Sequence, residues 1–342
     1  MRRVEPLTEE NEPCRRDRSL DAVDLEDLIG SIADPSLRSH ARWLATAPAG
    51  QIRRWAIRNP AEYRRTITKL KTIMEKIMTY NYDFLRKEPF DAYSARSKTH
   101  LTSHQIFDFM RRPIVYQQKR IGLIPDMDSS SSFKLGRAAH TRILEGRDEY
   151  ECRYAIGGPV NPTTGKEYGR ETKAFRAFEE EKGCEVLSES DAELIENLYA
   201  GVMREPIAAE LLSDGVAEGV AIARFCGTDC QARIDFFNPT SGIVDLKTCS
   251  DIERFEDDAK KYGYIYQMAF YHSIVECVSG YHVPVHVIGV EKQKPHSCWT
   301  WRIPGYRLYE AKCELIAAIR QLHQAYENDV WETGGETVRN LM

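Results

Sequence analysis

The stretch 230–248, CQARIDFFNPTSGIVDLKT, constrains the fold more than any other part of this chain. Its first half alternates apolar and polar residues, Asn238-Pro239-Thr240-Ser241-Gly242 interrupts the alternation, and Ile243-Val244-Asp245-Leu246-Lys247 follows. Two short strands joined by a tight polar turn are the expected result. Asp245 and Lys247, two apart on one strand, share a face, and the turn brings Asp235 across to them. Upstream, VAEGVAIARF at Val216–Phe225 also alternates and reads as the first strand of a three-stranded meander.

Two carboxylates and an ammonium at one spot are costly unless the charge is offset, because close carboxylates repel and each loses hydration. A divalent cation supplies the offset, and hard oxygen donors with few protein ligands favour magnesium or manganese. Such a cation makes a bound water nucleophilic and steadies charge on a phosphoryl group, while Lys247 orients that water or shields the transition state. The implied chemistry is phosphodiester hydrolysis. Taken alone, Asp-x-Lys is also a common solvated pair on a strand.

A chain of 342 residues can bury a large core, and its length fits two domains or one domain with an extension. The shares of 42% hydrophobic and 29% charged residues are those of a soluble globular protein. The start, MRRVEPLTEENEPCRRD, has no signal-peptide core, and no apolar run approaches the roughly 20 residues of a membrane span. A cytoplasmic location with no membrane partner is therefore expected. Nine cysteines with scattered spacing fit reduced thiols, and no second pair accompanies Cys226-x3-Cys230 to make a zinc site. Cys277, Cys298 and Cys313 are too widely spread for an iron–sulfur cluster. A net charge of -5 hides an uneven distribution: residues 96–142 carry nine basic against three acidic side chains. That strip suits phosphate contact in one groove, and a solvated helical face has the same composition.

In order along the chain, residues 1–20 read as a mobile arm and 20–88 as helical, with Asn59-Pro60 starting the longest helix. There Tyr63, Ile67, Leu70, Met74 and Ile77 make a narrow apolar stripe for packing within the domain or against a partner. A short helix, HQIFDFMRR, stops at Pro113; the serine run at 126–132 is a loop; a helix over 133–145 carries His140 one turn beyond Gly136. The Gly/Pro/Thr-rich run 154–168 is an exposed loop, and helices are expected over 170–182, 188–204 and 206–212. A polar segment over 251–261 leads to a helix at 264–277, where Gln267 and Tyr271 share a face. Strands over 284–291 and 297–303 and an amphipathic helix over 306–327 close the chain, with the last fifteen or so residues fraying. Trp299 and Trp301 alternate with Thr300 and either pack on the sheet or stack on a base.

Asp235 followed by Asp245-Leu246-Lys247 resembles the PD-(D/E)XK nuclease signature of the RecB-like superfamily, and the flanking residues resemble its RecE-type, exodeoxyribonuclease VIII-like branch. Gly136-x-Ala138-x-His140 with Leu144-Glu145 resembles the histidine motif of that group, Gln267-x3-Tyr271 its glutamine–tyrosine pair, and the Ser103 helix with Pro113 and Tyr116 its opening. Glu218 and Arg233 stand at comparable places, Glu218 being equally readable as a surface residue; Ile234 replaces a frequent proline that only shapes backbone.

The resemblance implies an α/β core with a mixed central sheet flanked by helices over 96–330, after a helical extension at 1–95 and before a tail at 331–342. It implies a Mg2+-dependent deoxyribonuclease, with Mn2+ able to substitute. His140, Asp235, Asp245, Glu218 and the Leu246 carbonyl would bind metal, and Lys247 would activate or orient water. Gln267 and Tyr271 would border the catalytic site, and Lys134, Arg137 and Arg233 would contact DNA. Relatives of that type digest duplex DNA from 5′ to 3′, form ring-shaped homo-oligomers and work with a single-strand annealing protein in recombination, in phage or mobile-element settings. Three alternatives remain: a RecB-like nuclease of other polarity, an endonuclease, and a catalytically silent DNA-binding or assembly module.

Overall fold

The computed structural model describes residues 32, 34–47, 49–77, 82–125 and 131–336. The expected arm at 1–20 and most of the serine loop lie outside them. The chain divides into two compact units, 1–81 and 82–342.

The first unit contains α1 (Pro35–Thr46), α2 (Ala49–Arg58) and α3 (Pro60–Ile77). Asp34 caps α1, its side chain accepting from the amides of Ser36 and Leu37 at 2.9 and 3.1 Å, and proline opens both α1 and α3. Trp43, Trp55 and Tyr63 meet edge-to-face with centroids 5.4 and 5.6 Å apart, so Tyr63 packs within this unit. The side chains of Leu70, Met74 and Ile77 lie outside the described residues.

The second unit begins at Tyr82, earlier than the expected boundary at 95/96. Arg86 exchanges both backbone hydrogen bonds with Val220, each 2.9 Å, which ties this segment to the sheet edge. Helices α4 (Phe90–Arg96), α5 (Ser103–Arg111) and α6 (Pro113–Arg120) follow. Thr102 and Gln105 form a capping box at α5. Pro113 both ends α5, by holding Arg112 extended, and opens α6, a helix the sequence reading lacked.

Helix α7 (Ser131–His140) continues as a π-turn over Thr141–Glu145; α8 (Arg147–Arg153), β1 (Tyr154–Ile156), α9 (Lys173–Lys182) and β2 (Glu185–Leu187) come next. β1 and β2 pair in parallel, so the expected loop at 154–168 starts as a strand. After α10 (Glu189–Arg204) and α11 (Pro206–Leu211) come β3 (Val216–Phe225), β4 (Thr228–Asn238), β5 (Gly242–Cys249), α12 (Phe255–Tyr262), α13 (Tyr264–Ser279), β6 (Val285–Glu291), β7 (Cys298–Arg302) and α14 (Gly305–Asn328). The sheet order is β3-β4-β5-β6-β7, antiparallel except for the β5–β6 pair, which α12 and α13 connect. This is the expected α/β architecture, a mixed sheet flanked by helices.

The hairpin turn is built by Asn238, whose buried side-chain oxygen accepts from Thr240 and Ser241 while its amide donates to the Leu211 carbonyl at 3.0 Å. Gly242 closes it at φ +76°, where a Cβ would stand 2.3 Å from the Pro284 oxygen. Val244, Leu246, Ile288 and Val290 then enter the core with Ile195, Leu198 and Val202 of α10. Strand alternation turns Asp245 and Lys247 to the opposite face. The C-terminal segment also packs: Trp331 meets Tyr116 and Tyr326 at 6.2 and 4.9 Å and the Glu332 carbonyl accepts from the Ile114 amide at 3.1 Å, correcting the expectation of fraying as far as residue 332. No helix among the described residues is long and apolar enough to cross a membrane.

Candidate active site

Strands β4 and β5 pair only at Phe236↔Val244, Phe237↔Ile243 and Asn238↔Gly242. Beyond these they part, and the Asp235 carboxylate stands in for the missing ladder: the Leu246 amide donates to its Oδ2 at 2.9 Å. Across β3, the pairs Ala217↔Phe236 and Gly219↔Ile234 set Glu218 opposite Asp235. Glu218 has φ +55°, a left-handed conformation in mid-strand that costs a non-glycine residue on the order of 1 kcal/mol or more. Its Oε2 accepts from Arg233 Nε at 2.5 Å.

His140 arrives from the other direction, at the last turn of α7 before the helix widens. The π-turn is anchored by buried Arg142, bidentate to Glu196 at 2.7 and 3.0 Å and over the Tyr199 ring at 3.7 Å. His140 Nδ1 lies 3.5 Å from Asp235 Oδ2. Ligand atoms of His140, Glu218 and Asp235 fall within 4.8 Å of one another, which makes them a candidate metal cluster among the described residues.

Asp245 lies outside that group of three, beside Lys247 and fully buried; its Oδ2 is 2.5 Å from Lys247 Nζ. Its Oδ1 is buried with no hydrogen-bond partner. Lys247 also sits 5.3 Å from the centroid of the Tyr264 ring. On α13, Gln267 Nε2 donates to the Tyr271 hydroxyl at 3.0 Å, and that buried hydroxyl feels the charges of Asp235 and Asp245.

Burial dominates the electrostatics. It lifts Glu218 to about 7, with the Asp235 charge adding to the effect against Arg233. It lifts Asp245 to about 6 and raises Asp235, with Lys247 opposing both. It pushes His140 down to about 4, so the imidazole is neutral at pH 7 and its approach to Asp235 is no ion pair. Lys247 goes the other way: burial disfavours its charge, but Asp245 and Asp235 outweigh that and hold the ammonium protonated. Three carboxylates held above their ordinary range, one with an orphaned oxygen, mark a site short of positive charge. The donor set, carboxylate oxygens with one neutral imidazole, fits a hard divalent cation.

Of the predicted DNA-contacting side chains, Lys134 and Arg137 both lie beside Glu185, at 3.4 and 3.3 Å, and both stay partly exposed. Arg233 braces Glu218 instead of standing open to a phosphate. A network absent from the sequence reading supports that brace. Glu88 and Arg96 form a bidentate pair at 2.6 Å, Arg96 donates to Gln231 at 3.1 Å, Gln231 donates to the Tyr93 carbonyl, and Arg233 donates to the Glu88 carbonyl at 3.3 Å. These partners are up to 145 residues apart, so no local spacing marks them.

A family described as a PDDEXK-like domain of unknown function (DUF3799) matches residues 105–340. The chain belongs to that family. A crystal structure from Eubacterium rectale, named only provisionally as an exonuclease, superposes on the PDDEXK-like chain with a TM-score of 0.55 at 15% identity, covering 75% of this chain and 96% of that one. No curated protein matches the chain in sequence. The PDDEXK-like assignment places the domain in the PD-(D/E)XK nuclease superfamily, a broader group than the RecE-type branch. Residues 82–104, α4 among them, lie before the matched segment yet belong to the same compact unit and bridge to the sheet at Arg86 and Leu101.

Proposed function

We propose that the PDDEXK-like domain is a Mg2+-dependent DNA exonuclease, with Mn2+ able to substitute. The observation that carries the reading is the convergence of His140, Glu218 and Asp235 within 4.8 Å, beside the buried Asp245–Lys247 pair. His140, Glu218, Asp235 and Asp245, with the Leu246 carbonyl, are the groups to hold the cation. When bound, it supplies Lewis acidity to a phosphoryl oxygen and acidifies a water. The chain's own residues supply the rest. Lys247, held protonated, donates hydrogen bonds to water or to charge accumulating on the phosphoryl group, and does not accept a proton at neutral pH. Gln267 orients the Tyr271 hydroxyl at the border of the site. Arg233 keeps Glu218 aimed at Asp235.

Cleavage from 5′ to 3′ on duplex DNA, a recombination role with a single-strand annealing partner, and a ring-shaped oligomer follow from the RecE-type resemblance of the same motifs. The test is release of end label from linear duplex DNA, beside closed circular DNA, with magnesium and with chelator, for the wild type and Asp245→Ala. Magnesium-dependent loss of label with the circle spared, abolished in Asp245→Ala, supports an exonuclease. A cut circle points to an endonuclease, and unchanged activity in Asp245→Ala removes the proposed site. A duplex with one blocked end reads the polarity.

A further inference from the structure

Beside the candidate active site, α12 ends in the sequence Lys260-Lys261-Tyr262-Gly263-Tyr264, where α13 begins. Gly263 makes the turn at φ +70°, and a Cβ there would stand 2.3 Å from the Phe107 ring, so α5 backs the turn closely. Phe107 itself stacks on Tyr266 at 5.7 Å and 28°. On this backed turn the rings of Tyr262 and Tyr264 stack loosely, centroids 6.1 Å apart and 24° from parallel. Tyr264 is the inner ring, with Lys247 Nζ 5.3 Å from its centroid. Tyr262 is the outer ring, 51% exposed.

Two lysines precede the outer ring in the chain. Lys261 Nζ lies over that ring, 5.1 Å from its centroid, and Lys260 pairs with Asp257 with both side chains exposed. Such a pair is weak and gives way to a phosphate. A half-exposed aromatic ring with a mobile lysine over it and a second exposed lysine next to it in the chain carries the groups that stack an unpaired base and hold the adjoining phosphate.

We propose that Tyr262, with Lys260 and Lys261, is a stacking platform for the unpaired end of the DNA strand, continuous through Tyr264 with Lys247. The occupant is single-stranded because a base offers its face to Tyr262 only when it has left the duplex stack. The inference rests on the nuclease reading for its biological sense, but its test does not require cleavage.

The experiment is fluorescence anisotropy of a short labelled oligothymidylate and of a blunt duplex, in chelator, with the full chain. Tyr262→Ala weakens oligothymidylate binding about tenfold, the loss of one stacked base, and leaves the blunt duplex unchanged. Tyr262→Phe retains the ring and the affinity. Lys260→Glu with Lys261→Glu weakens both probes and flattens the salt dependence. The proposal is overturned if the wild type does not bind oligothymidylate, if Tyr262→Ala binds it as the wild type does, or if that variant loses blunt duplex equally. Ring-dependent binding without any metal-dependent cleavage would leave the platform standing and remove the nuclease reading; cleavage with ring-independent binding would do the reverse.

Discussion

In the metal-free protein, Glu218 should make folding less favourable as pH rises. Its carboxyl moves from an ordinary 4.5 to about 7 on folding, because burial and the Asp235 charge outweigh Arg233. A group whose folded value is raised contributes stability that is fully present below 4.5 and lost as pH climbs through about 7. At about 1.4 kcal/mol per tenfold change in proton affinity, the loss is on the order of 3 kcal/mol. With 16% of the side chain exposed, solvent screening removes little of it. Other carboxylates titrate over the same range, so the informative quantity is the difference between the wild type and Glu218→Gln. That substitution leaves Arg233 charged throughout. Urea unfolding in chelator at successive pH values from about 4.5 to 8 should give a wild-type-minus-variant stability that falls by roughly 2–4 kcal/mol. Added magnesium should raise wild-type stability most at the alkaline end, where the carboxylates are free of protons. A difference curve that is flat or rises with pH would refute both the burial of Glu218 and its place in the cluster.

Lys247→Met should lower the rate of DNA hydrolysis about 10²–10³-fold in an end-label assay, since it removes a preorganised cation from the reacting centre; an unchanged rate removes Lys247 from the mechanism. Glu196→Ala should destabilise more than Arg142→Met by urea unfolding, about 3 against about 2 kcal/mol. The first substitution leaves a 6% exposed guanidinium without its bidentate partner, whereas the second leaves Glu196, which is 40% exposed and returns to water. Equal losses would contradict this asymmetry. Gly242→Ala should cost about 2 kcal/mol or more, because the positive φ and the contact with the Pro284 oxygen both resist a Cβ. A smaller effect in thermal unfolding would mean that the turn relaxes freely.

Local patterning specified the strands. Alternation in VAEGVAIARF and in the 230–248 stretch marked β3, β4 and β5 to within a few residues, because one face of each strand is core and a slip by one residue would turn every side chain over. The two-residue step from Asp245 to Lys247 was enough to put both on one face, and the Asn238–Gly242 run was enough to mark the hairpin. The same logic failed where a residue has two uses. Pro113 reads as a stop and is also the first residue of α6.

What only the tertiary structure decided is which groups meet. The parting of β4 from β5 sets the Asp235 carboxylate on the Leu246 amide, and no pattern within either strand announces it. The left-handed twist at Glu218, its clamp by Arg233, and the Glu88–Arg96–Gln231 support arise from segments far apart in the chain. So does the placement of Lys134 and Arg137 beside Glu185. Periodicity reports which way a side chain faces, because that depends on a few neighbouring backbone dihedrals. The charge state of a buried carboxylate depends on every group packed around it, and the sequence alone left that open until the chain had folded.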